Sequence, residues 1–335
     1  MKLNFLQIAA IVISFNGIFS CSNPSNEKNK DAQSTKLTLD VAKIEQVIGM
    51  KGTEKDGEYK VTVAQNDLNV VVDGFKIIPP MGLGSWAAFT ASPDGAMVMG
   101  DIIVTETDLK PVQEEVIRQG LTVTAIHNHF VRDTPHVMYM HIGGMGTEET
   151  LAQAVKAVFE KVKEVRGGNP AEAKADTVES TLNPEILNSF LGSSGEMSRG
   201  VFKQTIGRPD VDLKDHNASV STFLGFNTWA AWQGTMEKAA VAGDFAMLEN
   251  EVAPVIKALV ENGIEVVAVH NHMVHEEPRI FFLHYWGVGQ ASKLAEGLKQ
   301  ALAQTGKNSE QQPNKASLGA IFPNVSEVLC GLIEK

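Results

Sequence analysis

Residues 125–146 read AIHNHFVRDTPHVMYMHIGGMG, and residues 268–289 read AVHNHMVHEEPRIFFLHYWGVG. A shift of 143 positions lays His127, Asn128, His129, Pro135 and His141 onto His270, Asn271, His272, Pro278 and His284. Working outward, the same shift lays Trp86 on Trp229, Asp101 on Asp244, Pro111 on Pro254 and Gly120 on Gly263. From 81 to 151, 23 of 71 positions are identical without a gap. This is an internal duplication, so one copy gives the reading of both.

Within a copy, SWAAFTAS (85–92) and AMVMGDIIVT (96–105) have strand character and are split by the turn residues Pro93-Asp94-Gly95. TDLKPVQEEVIRQG (107–120) has an amphipathic helical period with Gly120 placed as a C-terminal cap. LTVTAIHNH and VMYMHIGG read as strands around a turn at Arg132-Asp133-Thr134-Pro135, and TEETLAQAVKAVFEKV as a helix. The expected fold is α+β: two tandem ββαββα-like repeats, helices packed on antiparallel or mixed sheets, related by a pseudo-two-fold axis. Such a pair either buries its sheet faces or joins them into one sheet. A helix is expected near the start of each copy, where Thr38-Leu39 matches Thr181-Leu182 and Gly49 matches Gly192.

The expected order is a signal peptide (1–20), a tether (21–36), repeat 1 (37–164), a linker (165–180), repeat 2 (181–305) and a tail (306–335) with a short helix. MKLNFLQIAAIVISFNGIFSC carries one Lys, a short apolar run and a small residue before Cys21, the pattern of a lipoprotein signal with Cys21 lipidated. The run is too short and interrupted for a membrane span. SNPSNEKNKDAQST (22–35) has the composition of a disordered tether. Cys330 is the other cysteine, so no internal disulfide is available once Cys21 is used. These features place the folded body in a bacterial cell envelope, at the periplasm or cell surface, anchored to the membrane by lipid.

The 335 residues are 43% hydrophobic with a formal charge of −11, enough for one large or two ordinary domains. No basic block exists that would track phosphate backbones, which argues against nucleic acid as a partner. G-x-S-x-G, H-E-x-x-H, Walker and CxxC motifs are absent.

The histidines carry the chemistry. Side chains alternate along a strand, so His127 and His129 share a face, as do His270 and His272. Three matched imidazoles per copy, His127, His129 and His141 in one and His270, His272 and His284 in the other, suit zinc or another first-row divalent ion. The third histidine joins its partners only if His127 pairs with Tyr139; a slip of one residue sends it to the other face. Glu276, Glu277 and Asp133, on the turns, are the candidate general bases, and Asp101 matches Asp244 upstream. The alternative is structural: imidazoles that hydrogen-bond one another in a duplicated core. His136 and His275 align with arginines, which suits surface or substrate-facing positions. Gly144-x-Gly146 and Gly287-x-Gly289 read as close strand-to-helix packing rather than an anion seat. Trp86 and Trp229 read as core or inter-repeat packing rather than a sugar platform.

VHNHMVHEEPRIFFLHYWGVGQASKLAEGL (269–298), with its HNH, proline and HYWG, resembles the LppY/LpqO family of bacterial lipoproteins, built on a duplicated domain of unknown function. The resemblance spans residues 37–305. It implies envelope location and a duplicated architecture, and assigns no catalytic residues. Repeat 1 departs from it at Ile142-Gly143, where repeat 2 has Tyr285-Trp286; an aromatic lining there would equip only the second copy. The expected function is an envelope-tethered, metal-dependent hydrolase or isomerase acting on a small molecule or a carbohydrate or wall fragment. The alternatives are a non-catalytic ligand- or metal-binding lipoprotein and a purely structural envelope protein.

Overall fold

The computed structural model describes residues 37–306. The signal peptide, Cys21, the tether and the tail helix with Cys330 lie outside the described residues. Among the described residues no helix is long and apolar enough to cross a membrane.

Repeat 1 contains α1 (Val41–Ile48), β1 (Thr53–Lys55), β2 (Glu58–Ala64), β3 (Gly84–Ser92), β4 (Gly95–Thr105), α2 (Leu109–Arg118), β5 (Thr122–His127), β6 (Val137–Gly146) and α3 (Glu148–Arg166). Repeat 2 repeats the series as α4 (Pro184–Leu191), β7 (Gly195–Ser198), β8 (Val201–Gly207), β9 (Asn227–Gly234), β10 (Ala239–Leu248), α5 (Glu249–Glu261), β11 (Glu265–His270), β12 (Ile280–Gly289) and α6 (Ala291–Leu302). The fold is thus a duplicated α+β fold, and the helix expected at the head of each copy is present. The ββαββα reading missed the β1–β2 hairpin and its counterpart. The signal in repeat 1 is present in the sequence: EYKVTV (58–63) alternates, with Tyr59, Val61 and Val63 buried, and Asp56-Gly57 before it is a hairpin turn; VFKQTIG (201–207) alternates less regularly.

Each repeat forms one six-stranded antiparallel sheet, in the order β1-β2-β3-β4-β6-β5 and β7-β8-β9-β10-β12-β11. Helices cover one face of each. In repeat 1, Ile44 and Ile48 of α1, Val112 and Val116 of α2, and Leu151, Val155, Val158, Phe159 and Val162 of α3 pack against Val61, Ala87, Val98, Ile102 and Met140 of the sheet. Full burial of each such aliphatic side chain contributes about 1.5–3 kcal/mol, so Val155→Asp would break this layer. Gly144 and Gly287 lie under helices: an added Cβ at Gly144 would stand 2.7 Å from Leu121 Cδ2, on the α2–β5 connection, and 3.5 Å from Leu151 Cδ2 of α3, and one at Gly287 3.0 Å from Leu294 Cδ2 of α6. The glycines therefore allow close helix packing, as their sequence suggests.

The helix-free faces of the two sheets are turned toward each other, as ring contacts between their histidines establish. Each repeat also sends an arm onto its partner. From the 65–83 arm, Val70, Val72, Ile77, Ile78 and Met81 pack with Val201, Ala231, Ala240 and Ala242 of the second sheet. From 208–226, Leu213, Val220, Leu224 and Phe226 pack with Ala88, Met97 and Met99 of the first. Two separate sheets face each other, with the arms filling the periphery and leaving a chamber near the pseudo-two-fold axis.

One buried guanidinium position is filled by different parts of the chain. In repeat 1, Arg166 at the end of α3 pairs with Asp108 (2.6 Å), donates to the Ile103 carbonyl (2.9 Å) and contacts Gln65. In repeat 2, Arg208 occupies the position matching Gln65, pairs with Glu251 (2.7 Å) and donates to the Ala246 carbonyl (2.7 Å). Buried charges persist only when paired in this way.

Candidate functional site

The sheet register assembles the site. In antiparallel pairs, directly opposed residues share a face. Thr62 opposes Trp86, Trp86 opposes Asp101, and Asp101 opposes His141, across four strands. The second sheet repeats the row as Thr205, Trp229, Asp244 and His284. His127 opposes Tyr139, the register that sends His141 to the histidine face; a bulge between Val123 and Ala125 precedes it. His127 and His141 accordingly stack at 4.8 Å between ring centroids.

The closest histidine contacts cross between repeats. His127 stacks on His270 at 3.7 Å, His129 meets His284 at 3.7 Å, and His141 meets His272 at 4.0 Å. The sequence reading grouped three imidazoles per hairpin; the structure instead merges both hairpins into one cluster of six. Thr124 Oγ1 donates to the His272 carbonyl (2.6 Å), and Asn271 Nδ2 donates to the Thr124 carbonyl (2.9 Å), locking the HNH segment of repeat 2 against repeat 1. His129 stacks on Tyr139 and His272 on Phe282, each at 3.3 Å, which fixes the ring planes.

All six imidazoles are buried. Burial holds His127, His129, His141, His272 and His284 well below the ordinary imidazole range, and their neighbouring imidazoles push most of them further down. His270 is also lowered by burial, with Asp244 opposing the shift. The cluster is neutral at pH 7, the ligand form. The Nδ1–H groups of His141 and His284 donate to the carbonyls of Gly100 (3.1 Å) and Gly243 (3.0 Å). His270 Nδ1–H donates to the Asn271 carbonyl at 3.3 Å. A carbonyl only accepts, so Nε2 carries the free lone pair in all three rings. Those Nε2 atoms have no hydrogen-bond partner among the described residues, nor does either ring nitrogen of His127 and His129.

Three sets of side chains bring ligand atoms within 4.8 Å of one another: His127, His129 and His284; His127, His141 and His270; and Asp244, His270 and His284. Any two sets share one histidine, so with one ligand atom per residue only one can be filled at a time. The third set alone supplies a charged ligand, and both its histidines have Nε2 presented by a backbone carbonyl. Two imidazoles and a carboxylate on one face leave the remaining coordination positions open to a ligand. The set also lies wholly in repeat 2. The repeat-1 equivalent, Asp101 with His127 and His141, does not come together to the same degree.

Asp244 is pushed up to about 7 by burial, against the opposing pull of His270, and its Oδ1 accepts from the Leu283 amide at 3.0 Å. Asp101 is raised well above the carboxylate range by burial and by the charge of Asp244, and its Oδ1 has no partner among the described residues. His129 Nε2 lies 3.8 Å from Asp101, and His272 Nε2 lies 3.5 Å from Asp244.

The carboxylates chosen from the turns lie elsewhere. The chamber, about 470 Å³, is lined by Asp101, Asp244, His129, His141, His272 and His284 among others, and not by Asp133, Glu276 or Glu277. Asp133 accepts from the Val137 amide (2.7 Å) and pairs with His136 (3.0 Å), so it caps the hairpin. Glu276 pairs with Arg279 (3.0 Å), and Glu277 opposes Lys214 in a short ladder. Both sit where the hairpin turn meets the arm, one connection removed from the sheet face.

The aromatic readings divide. Trp86 and Trp229 pack between the repeats, as their sequence suggests, and also line the chamber. Each indole crosses to the other repeat: an added Cβ at Gly225 would stand 3.2 Å from Trp86, and one at Gly82 3.2 Å from Trp229. Both glycines have left-handed φ, +111° and +103°, so the backbone and the indole each require glycine there. Tyr285 and Trp286 do not line the chamber. Tyr285 lies on the helix side and donates to the Trp229 carbonyl (3.0 Å), while Trp286 packs under the repeat-1 arm and donates to Asp73 (2.9 Å). Of the surface pairs, Arg132 bridges Asp73 and Glu265, tying the two repeats together.

Sequence reasoning overlooked Lys60 and Lys203. They match under the same 143-residue shift and face the chamber beside the tryptophans. The duplication offset, applied at 38–49 and from 81 onward, would have found them had the stretch between been compared as well.

The chain belongs to the family described as Domain of Unknown Function (DUF1259), whose model matches residues 42–161 and 185–304, one copy per repeat. No curated protein matches the chain. Among solved structures, EtuB from Clostridium kluyveri is 8% identical, covering 76% of this chain and 88% of that one, with a TM-score of 0.18. The trimeric bacterial microcompartment shell protein PduB is 9% identical over 76% and 89%, again at 0.18. Superposition at that level carries no argument about fold or function.

Proposed function

We propose that this chain is an envelope-tethered lipoprotein whose inter-sheet chamber holds one divalent first-row ion on Asp244, His270 and His284 and presents it to a small-molecule, carbohydrate or wall-fragment ligand, as a hydrolase or isomerase. The observation that carries this reading is the convergence of six neutral, buried imidazoles with unpartnered ring nitrogens beside a buried carboxylate. A structural cluster would leave those nitrogens desolvated without compensation, at about 1–3 kcal/mol each. A cation returns that cost to the pocket as ligand bonds. The tethering half of the reading rests on the segment ending at Cys21 and on the resemblance to LppY/LpqO lipoproteins.

A divalent ion held there supplies Lewis acidity toward a bound carbonyl, phosphoryl or water oxygen. The chain's own residues do the rest. His141 and His284 are oriented by backbone carbonyls, and Trp86 and Trp229 wall the ligand space. Asp101, the lining carboxylate outside the three ligand sets, has its carboxyl raised well above the ordinary range by burial and by Asp244, and serves as the acid–base group. Asp133, Glu276 and Glu277 are structural in this reading.

Elemental analysis of the purified full chain tests the ion, with one per chain expected. A metal-free protein whose melting temperature is unmoved by metal or chelator refutes the reading. A non-catalytic receptor differs in one respect: Asp101→Asn abolishes turnover in the enzyme and leaves ligand binding intact in the receptor.

A further inference from the structure

We propose that the chamber takes an oxyanionic ligand, a small molecule bearing carboxylate or phosphate groups, held between Lys60 of one repeat and Lys203 of the other. This goes beyond the metal reading and does not depend on it. Lys60 and Lys203 are pseudo-two-fold mates on β2 and β8, and both line the one chamber. Each ammonium lies over an indole face, Lys60 at 4.4 Å from Trp86 and Lys203 at 4.3 Å from Trp229; Lys60 also sits 5.0 Å from the Phe223 ring.

No carboxylate among the described residues stands within ion-pair distance of either lysine. The acids that act on them do so at longer range, Glu58 on Lys60 and Asp244 on Lys203, and Glu58 is itself hydrogen-bonded to Ser221. Four surface lysines, Lys43, Lys76, Lys161 and Lys163, each have a carboxylate within 3.2 Å; others have none but stand in open water, whereas Lys60 and Lys203 are half-buried. Two like charges converge on one chamber, half-withdrawn from water and without a counterion, although the chain as a whole is strongly acidic. Burial pushes both down to about 8, and Lys203 pushes Lys60 further, so they remain mostly protonated at pH 7.

Such a pair is costly unless an anion sits between the two ammonium groups. Thr62, Thr205, Thr222 and Asn227 line the same space and offer the hydroxyl and amide donors that oxyanions take. The tryptophan faces hold the lysine stems in place, so little side-chain freedom remains to be lost on binding. A neutral sugar would leave both charges unmatched, and this discriminates against it.

The test is calorimetric titration of the full chain with inorganic phosphate, succinate and glucose, in chelator-stripped and zinc-loaded forms, beside Lys60→Met, Lys203→Met and the double variant. Methionine keeps the stem and removes the charge. Phosphate or succinate should bind the stripped protein and glucose should not; the preferred anion identifies the headgroup chemistry. Each single variant should lose roughly 10-fold in affinity and the double at least 50-fold, in line with charge-assisted hydrogen bonds. Zinc should still bind all three variants, since neither lysine is a ligand. Anion binding that requires zinc, or that survives the double substitution, overturns the proposal. Anion binding by a protein that takes no zinc upholds it while refuting the metal reading.

Discussion

The pseudo-symmetry of the chamber hides a functional asymmetry that paired substitutions expose. His127 and His141 are the mates of His270 and His284, so two double variants remove equivalent imidazoles from equivalent strands. Their effects on metal binding should nevertheless differ. His270→Ala with His284→Ala strikes every ligand set: the second loses His270, the first loses His284, and the third loses both. His127→Ala with His141→Ala destroys the first and second sets and leaves Asp244, His270 and His284 whole. A four-ligand zinc site is worth about 10–16 kcal/mol, hence roughly 3 kcal/mol, or two decades, per ligand. The first double variant removes two ligands of the assigned set and should therefore lose about four decades in zinc affinity, and the second less than about 3-fold. Competition titration against a chromogenic zinc indicator, on the full chain with circular dichroism as the folding control, reads both. Equal losses in the two variants, or a greater loss in the His127/His141 pair, would refute the assignment to repeat 2.

Three further outcomes follow from other parts of the molecule. Arg166→Met removes the partner of buried Asp108 and should cost about 3–5 kcal/mol, read as a lower urea midpoint; an unchanged midpoint would show that the buried pair contributes nothing to stability. Gly243→Ala places a Cβ 2.1 Å from both the Trp229 carbonyl and the Tyr285 hydroxyl, and should cost about 2–3 kcal/mol by overpacking; a melting temperature within error of wild type would sink that account. Succinate affinity should fall at least about 10-fold between pH 7 and pH 9. The anion binds protonated lysine, and both lysines lose their protons as pH rises through about 8. Calorimetry across that window should give a flat profile for the Lys60→Met, Lys203→Met double variant, and an equal fall there would remove the lysines from the explanation.

Much of the duplicated core was readable because its signals are local. The helical period of 147–162, the cap at Gly120 and the strand alternation before His127 each depend on residues a few positions apart, and the structure keeps them. The β1–β2 hairpin was overlooked although Asp56-Gly57 and the alternation of EYKVTV mark it, and the two arms carried less local signal. An arm such as QNDLNVVVDGFKIIPPMGL has a local signal only at Asp73-Gly74, which turns Val71–Val72 onto Phe75–Lys76; many of its other apolar residues are matched to the partner's sheet, which no local period reflects. The histidines were legible as residues and misread as groups. Matching positions showed that three imidazoles recur, but which of them meet is set by how two sheet faces approach.

The candidate carboxylates show the same limit. Glu276, Glu277 and Asp133 are close to the histidines in sequence, yet hairpin geometry turns them toward the turn and the arm. Asp101 and Asp244, far away in sequence, reach the chamber because register aligns them with His141 and His284. The sequence by itself determined the duplication, the type of most elements and the residue types available for chemistry, since these rest on composition, short-range periodicity and a fixed offset. Tertiary structure decided the sharing of one chamber by both copies, the pairing of Lys60 with Lys203 and the singling out of repeat 2 as the more complete ligand set. Those depend on distances between segments more than a hundred residues apart, which packing of the two sheet faces fixes and no local pattern encodes.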